Sequence, residues 1–131
     1  MSKIKLRENL MKLVFQFYFS KDTESNFEVL DDEGLNDADK VYLYNSFNEI
    51  LENYPQIIHI IESNLVNFKL ERISKTDLAI LIVAIYELKF SCEKQSFKII
   101  VNEAVELSKK YSDENNYKFV NGLLAKVVNA I

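Results

Sequence analysis

Leu78-Ala79-Ile80-Leu81-Ile82-Val83-Ala84-Ile85-Tyr86 sets nine apolar residues in a row, and this run limits the fold more than any other stretch. It is far short of the ~20 residues needed to cross a bilayer. Apolar on every side, it must be covered on every side, which marks the buried axis of a bundle. Ile80, Ile82, Val83 and Ile85 are β-branched, so a strand is conceivable. The flanks decide for a helix. Ser74 can accept from first-turn amides, Asp77 suits the positive end of the helix dipole, and Glu87-Leu88-Lys89 continues the pattern. Two glycines and one proline are also too few for the turns of an all-β chain. The fold class is all-α.

The other helices assemble around that axis. Leu6, Leu10, Leu13 and Phe17 recur at helical spacing over residues 3–20, opposite Lys5, Asn9, Lys12 and Gln16. Ile4, Met11, Val14, Phe15 and Tyr18 widen the apolar arc, so this helix touches more than one neighbour. Residues 21–36 form a polar, acidic loop holding Gly34. Val41, Tyr44, Phe47, Ile50 and Leu51 define a helix over 37–54, and Pro55 suits the first position of a new one ending near Asn67. Ser96 caps a helix running to about Tyr111; Asn115 and Asn116 punctuate, and Tyr117 to about Asn129 forms the last. Gly122 within it costs ~1 kcal/mol relative to Ala, which suggests a close approach of another helix. The 131 residues make one domain with its own core.

Composition excludes several functions. Cys92 stands alone, so there is no disulfide framework, and a reducing, cytoplasmic setting is expected. One cysteine and one histidine cannot build a His/Cys metal site, and no cofactor is implied. The chain opens on no basic-then-apolar signal segment, and no membrane association is expected. Catalysis finds no support: any triad would depend on His59, read as a structural or surface residue, and Gly34 and Gly122 cannot form a phosphate loop. The chain is not read as an enzyme.

The net charge of −4 hides an uneven distribution. Residues 1–21 carry five bases against one acid, residues 22–64 one base against eleven acids, and residues 65–131 ten bases against eight. An acidic middle that repels phosphate leaves the two ends as the plausible nucleic-acid face. Lys118-Phe119 at the start of the last helix pairs a cation with a ring, the combination that stacks unpaired bases while holding phosphates. By periodicity alone Phe119 is a core residue. Asn102 and Asn121 most simply satisfy backbone groups between helices.

Three segments together support a family. Ala79-Ile80-Leu81 through Ala84-Ile85-Tyr86-Glu87-Leu88, then Val101-Asn102-Glu103-Ala104-Val105-Glu106-Leu107-Ser108-Lys109, then Lys118-Phe119-Val120-Asn121-Gly122-Leu123-Leu124 resemble the bacterial transcription antitermination factor NusB family. The resemblance is specific over about residues 70–128 and looser before that. It implies an all-α fold of about seven helices in two small bundles sharing the long first helix, here residues 1–67 and 68–131 of a single RNA-binding domain. It also implies binding of the single-stranded boxA element of ribosomal RNA leaders together with ribosomal protein NusE, in a complex that helps RNA polymerase read through terminators. Carried over by position, RNA contacts fall on Lys3, Lys5, Arg7, Asn115, Lys118 and Phe119, with the Phe119 ring exposed to bases. The NusE contacts fall on Phe15 and Asp77. The chain departs from the family where a dense arginine run is replaced by Lys3, Lys5 and Arg7, where an arginine is Ile82, and where a proline is Ser96. Lysine offers a point charge in place of a fork. Two alternatives stay open: a protein–protein scaffold of the same fold with weak or no RNA binding, and a weak homodimer in place of a monomer.

Overall fold

The computed structural model describes residues 2–19 and 34–130, so most of the loop expected over 21–36 lies outside the described residues. Within them are five α-helices: α1 (Lys3–Phe19), α2 (Asp37–Ser63), α3 (Lys75–Ile85), α4 (Phe97–Tyr111) and α5 (Asn116–Asn129). A single 3-10 turn (Leu70–Arg72) precedes α3, and a π-helical turn (Tyr86–Phe90) extends it. No strand occurs among the described residues. The all-α expectation holds.

The apolar run is the axis. Every residue of α3 from Asp77 to Ile85 is buried, and α3 packs against all four other α-helices. Leu81, Ile82 and Ile85 are fully enclosed, each side chain contributing ~1.5–3 kcal/mol of burial. Ser74 caps the helix as expected, its Oγ accepting from the Asp77 amide at 3.1 Å. Ser96 likewise caps α4, accepting from the Lys98 amide at 3.2 Å. α1 touches both α2 and α3, so the wide apolar arc does serve two neighbours, although Ile4 and Phe17 remain exposed.

Three expectations are corrected. Pro55 does not start a helix but lies inside α2, which runs unbroken from a capping box in which Asn36 and Asp39 bond each other's backbone amides. A proline there removes the bond to the Leu51 carbonyl. The helix persists because Leu43, Phe47, Ile50, Ile57 and Ile61 form one buried stripe, and ending it at Pro55 would pull Ile57 and Ile61 out of the core. Gly122 is exposed, and a Cβ placed on it would meet nothing within 4 Å, so no helix approaches it. Asn102 and Asn121 are exposed along a groove between α4 and α5, and no hydrogen bond of theirs to backbone groups occurs among the described residues.

Past α3 the chain widens rather than stops. The Ser91 amide bonds the Tyr86 carbonyl at 2.9 Å, a five-residue step that keeps Tyr86, Glu87 and Leu88 all buried in sequence. This turn brings the Glu87 carboxylate inward towards α1.

Candidate nucleic-acid interface

The first turns of α1 divide the expected cationic end in two. Lys5 is exposed. Lys3 is half-buried, bonded to the Glu93 carboxylate and, at 2.9 Å, to the Tyr42 hydroxyl, with its ammonium 4.2 Å from the Tyr42 ring centroid. Burial opposes the Lys3 charge, but the bonds to Glu93 and Tyr42 outweigh it and hold the pKa above its ordinary value. Arg7 is only 3% exposed, its Nε donating to Glu87 Oε2 at 2.7 Å. A guanidinium enclosed in this way does not meet solvent, so the expectation of Arg7 as a surface contact is corrected. Burial pushes the Glu87 carboxyl up in spite of the facing Arg7.

Beside them, Glu8 collects cations. Its side chain is 9% exposed and takes a hydrogen bond from Lys110 Nζ of α4 at 2.9 Å, with Lys5 Nζ at 3.7 Å and Lys12 Nζ at 3.8 Å. Burial raises the carboxyl, but hydrogen bonds from Lys110 and Tyr111 and the charges of Lys110 and Lys5 prevail and hold it below its usual value. A folded pKa below the unfolded ~4.3 gives stability that is full above that value and disappears as pH falls through the folded one. Glu8→Gln is therefore expected to be less stable than wild type at neutral pH and to lose less on acidification towards about pH 3. Thermal melts across that range check it; parallel losses in the two proteins would refute it.

The start of α5 is joined to the same region. Lys109 lies 4.8 Å from the Tyr117 ring centroid, and Asn116 Nδ2 donates to Ser112 Oγ at 3.0 Å. Asn115 adopts a left-handed φ of 77° just before α5, is exposed, and makes no side-chain cap bond; asparagine tolerates that conformation better than most residues. Lys118 is exposed. Phe119 is neither free nor sealed: half-buried, its ring centroid 5.4 Å from that of the exposed Phe68, beside a groove that Gly122 leaves open.

No hydrogen bond or ion pair among the described residues joins Lys3 or Lys5 directly to Lys118 or Phe119. Lys5 and Lys110 share Glu8, and Lys109, next to Lys110 in α4, lies over Tyr117 at the start of α5; Lys3 takes part in neither contact. The sequence reading singled out neither Lys12 nor Lys109-Lys110-Tyr111. The signal was present, as two cations and a ring in succession at a helix end and as a Lys5-Glu8-Lys12 ladder one turn apart.

The residues expected to meet a protein partner also separate. Phe15 is half-buried beside a groove of about 180 Å³ lined by Met11, Lys12, Gln16, Thr76 and Tyr111. Asp77 is 2% exposed and accepts from Ser74, Ser108 and Ser112 hydroxyls at 3.0, 2.9 and 2.9 Å. It is an internal tie between α3 and α4, not the surface contact expected of it. Among the described residues no cluster of three or more His, Cys, Asp or Glu could hold a metal ion, and no helix is long and apolar enough to cross a membrane.

Known proteins are similar to this chain in sequence and fold. The family model described as the NusB family matches residues 4–129. A transcription antitermination protein NusB from Clostridium novyi is 40% identical over 134 residues, covering 99% of this chain and 100% of that protein. Another from Ruminiclostridium cellulolyticum is 42% identical over 124 residues, covering 92% and 84%. The solved structure of T. maritima NusB superposes with a TM-score of 0.87 at 30% identity, covering 98% of this chain and 92% of that one. A crystal structure of antitermination factors NusB and NusE in complex with dsRNA shares the fold, with a TM-score of 0.83 at 23% identity over 98% of this chain and 97% of that one.

Proposed function

The chain belongs to the NusB family of transcription antitermination proteins, and on that premise we propose that it binds single-stranded boxA-type RNA of ribosomal RNA leaders together with ribosomal protein NusE. In that role it is a cytoplasmic adaptor of an RNA polymerase antitermination complex. The RNA contacts are Lys3, Lys5, Asn115, Lys118 and Phe119, while Arg7 acts from within by fixing the first turns of α1. The observation that supports this reading is at the end of α4, where Lys110 bonds Glu8 of α1 and Lys109 lies over Tyr117 of α5. NusE meets Phe15 of α1, and Asp77 anchors the neighbouring start of α3 from inside. The acidic residues of the middle third suit a basic ribosomal partner.

Gel-shift titration of boxA RNA with and without NusE tests the proposal. NusE is expected to tighten binding, and Lys3→Ala/Lys5→Ala/Lys118→Ala to weaken it, flattening the log-affinity against log-salt slope by ~0.7 per lost phosphate contact. Unchanged RNA affinity in that variant would remove this face. The scaffold alternative draws on the bonding of Lys3 to Glu93 and Tyr42 in the free protein; it requires NusE binding with no RNA shift at all.

A further inference from the structure

We propose that Lys12, Lys110 and Tyr111 form a middle subsite of the RNA path, two ammonium groups taking a phosphate and the ring taking a base between the contacts at the two ends. The inference rests on the RNA-binding reading and adds residues to it.

Glu8 is the first ground. One carboxylate neutralises one of the three ammonium groups gathered on it, which leaves Lys5, Lys12 and Lys110 with an excess of two positive charges in one place. The carboxylate is nearly enclosed whereas the three lysine side chains are 38–58% exposed, so an incoming anion meets the cations first. The second ground is the ring. Tyr111 is 38% exposed and lies 5.1 Å from Lys110 Nζ and 5.8 Å from Lys12 Nζ. An oriented, accessible ring between two cations is what an unpaired base with its phosphate requires.

Lysines in the last turn of a helix also complement its dipole. That accounts for Lys109 and Lys110, but not for Lys5 and Lys12 converging from α1, nor for the exposure of Tyr111. The position matters as well. Lys109, next to Lys110, lies over Tyr117 at the start of α5, so the end of α4 reaches both α1 and α5. Asp113 and Glu114 stand in the α4–α5 turn, so attraction comes from the clustered ammonium groups, not from net charge.

The test is a salt titration of full-length protein against labelled boxA RNA and a scrambled RNA of equal length, comparing Lys12→Ala/Lys110→Ala, Tyr111→Ala, Tyr111→Phe and Lys3→Ala/Lys118→Ala. The lysine pair variant should flatten the slope by about 0.7, for the one phosphate the pair takes. Tyr111→Ala should weaken binding about five- to a hundredfold with little change in slope, and Tyr111→Phe should restore it. Wild-type slope and affinity in Lys12→Ala/Lys110→Ala, with loss confined to Lys3→Ala/Lys118→Ala, overturns the subsite and leaves the RNA-binding reading standing. RNA binding by no form of the protein overturns both. Should Tyr111→Ala fail to fold, the lysine pair decides alone.

Discussion

Arg7→Ala will destabilise the protein by about 3–5 kcal/mol, the usual effect of removing one partner from an enclosed ion pair. For a chain of this size that lowers the melting temperature by roughly 10–20 °C. The loss arises because Glu87 stays behind in the interior without its cation, at the π-helical turn that joins α3 to the next segment. Burial already raises the Glu87 carboxyl. The neutral form is thus favoured in the fold, fully below the unfolded ~4.3 and decreasingly as pH rises through the raised value. Without Arg7 that preference grows, so the deficit of Arg7→Ala should shrink as pH is lowered towards about 5. Arg7→Met with Glu87→Leu should recover most of the loss, since an apolar pair needs no counter-ion. Urea unfolding at several pH values measures all of this. A variant as stable as wild type but defective in RNA binding would return Arg7 to the surface.

Asp77→Ala is the second large effect, about 3–4 kcal/mol, because the carboxylate receives three hydroxyl bonds that share one charge. Ser108 is fully enclosed and would be left with its donor unmet. The damage should also spread. Ser112 connects Asp77 to Asn116, so the start of α3, the end of α4 and the start of α5 are held by one network. Loosening it frees the turn that carries Lys110 and Tyr111, and RNA affinity should fall together with stability. Asp77→Asn keeps the shape and should lose about half as much, since serine hydroxyls can turn to match an amide. Stability unchanged within ~1 kcal/mol while NusE binding is abolished would make Asp77 a surface contact after all.

These two residues also show where sequence reading stops. The all-α class, the buried axis and the caps at Ser74 and Ser96 were legible because each is decided by neighbours within one or two turns. Arg7 and Asp77 were placed as RNA and NusE contacts by family resemblance, which says nothing of what encloses them here. Their partners, Glu87 and Ser108, stand 80 and 31 positions away, beyond any local pattern. Pro55 misled for a related reason. The local rule ends a helix there, whereas Ile50, Ile57 and Ile61 belong to one stripe whose burial outweighs one missing bond. Gly122 suggested a neighbour and has none, so its role is not packing. The ends of the proposed site, Lys3, Lys5, Asn115 and Lys118, come from family resemblance. Its middle was not legible, because Lys110 and Glu8 are brought together across 102 positions.

The most direct measurement is a boxA RNA titration followed by backbone amide chemical shifts across the whole chain. Changes are expected to be concentrated at residues 2–12 and 109–119 and to move together with one affinity. Changes confined to α2, or at only one of the two regions, would contradict the account, because the chain would then lack the joined cationic strip on which RNA is held to lie.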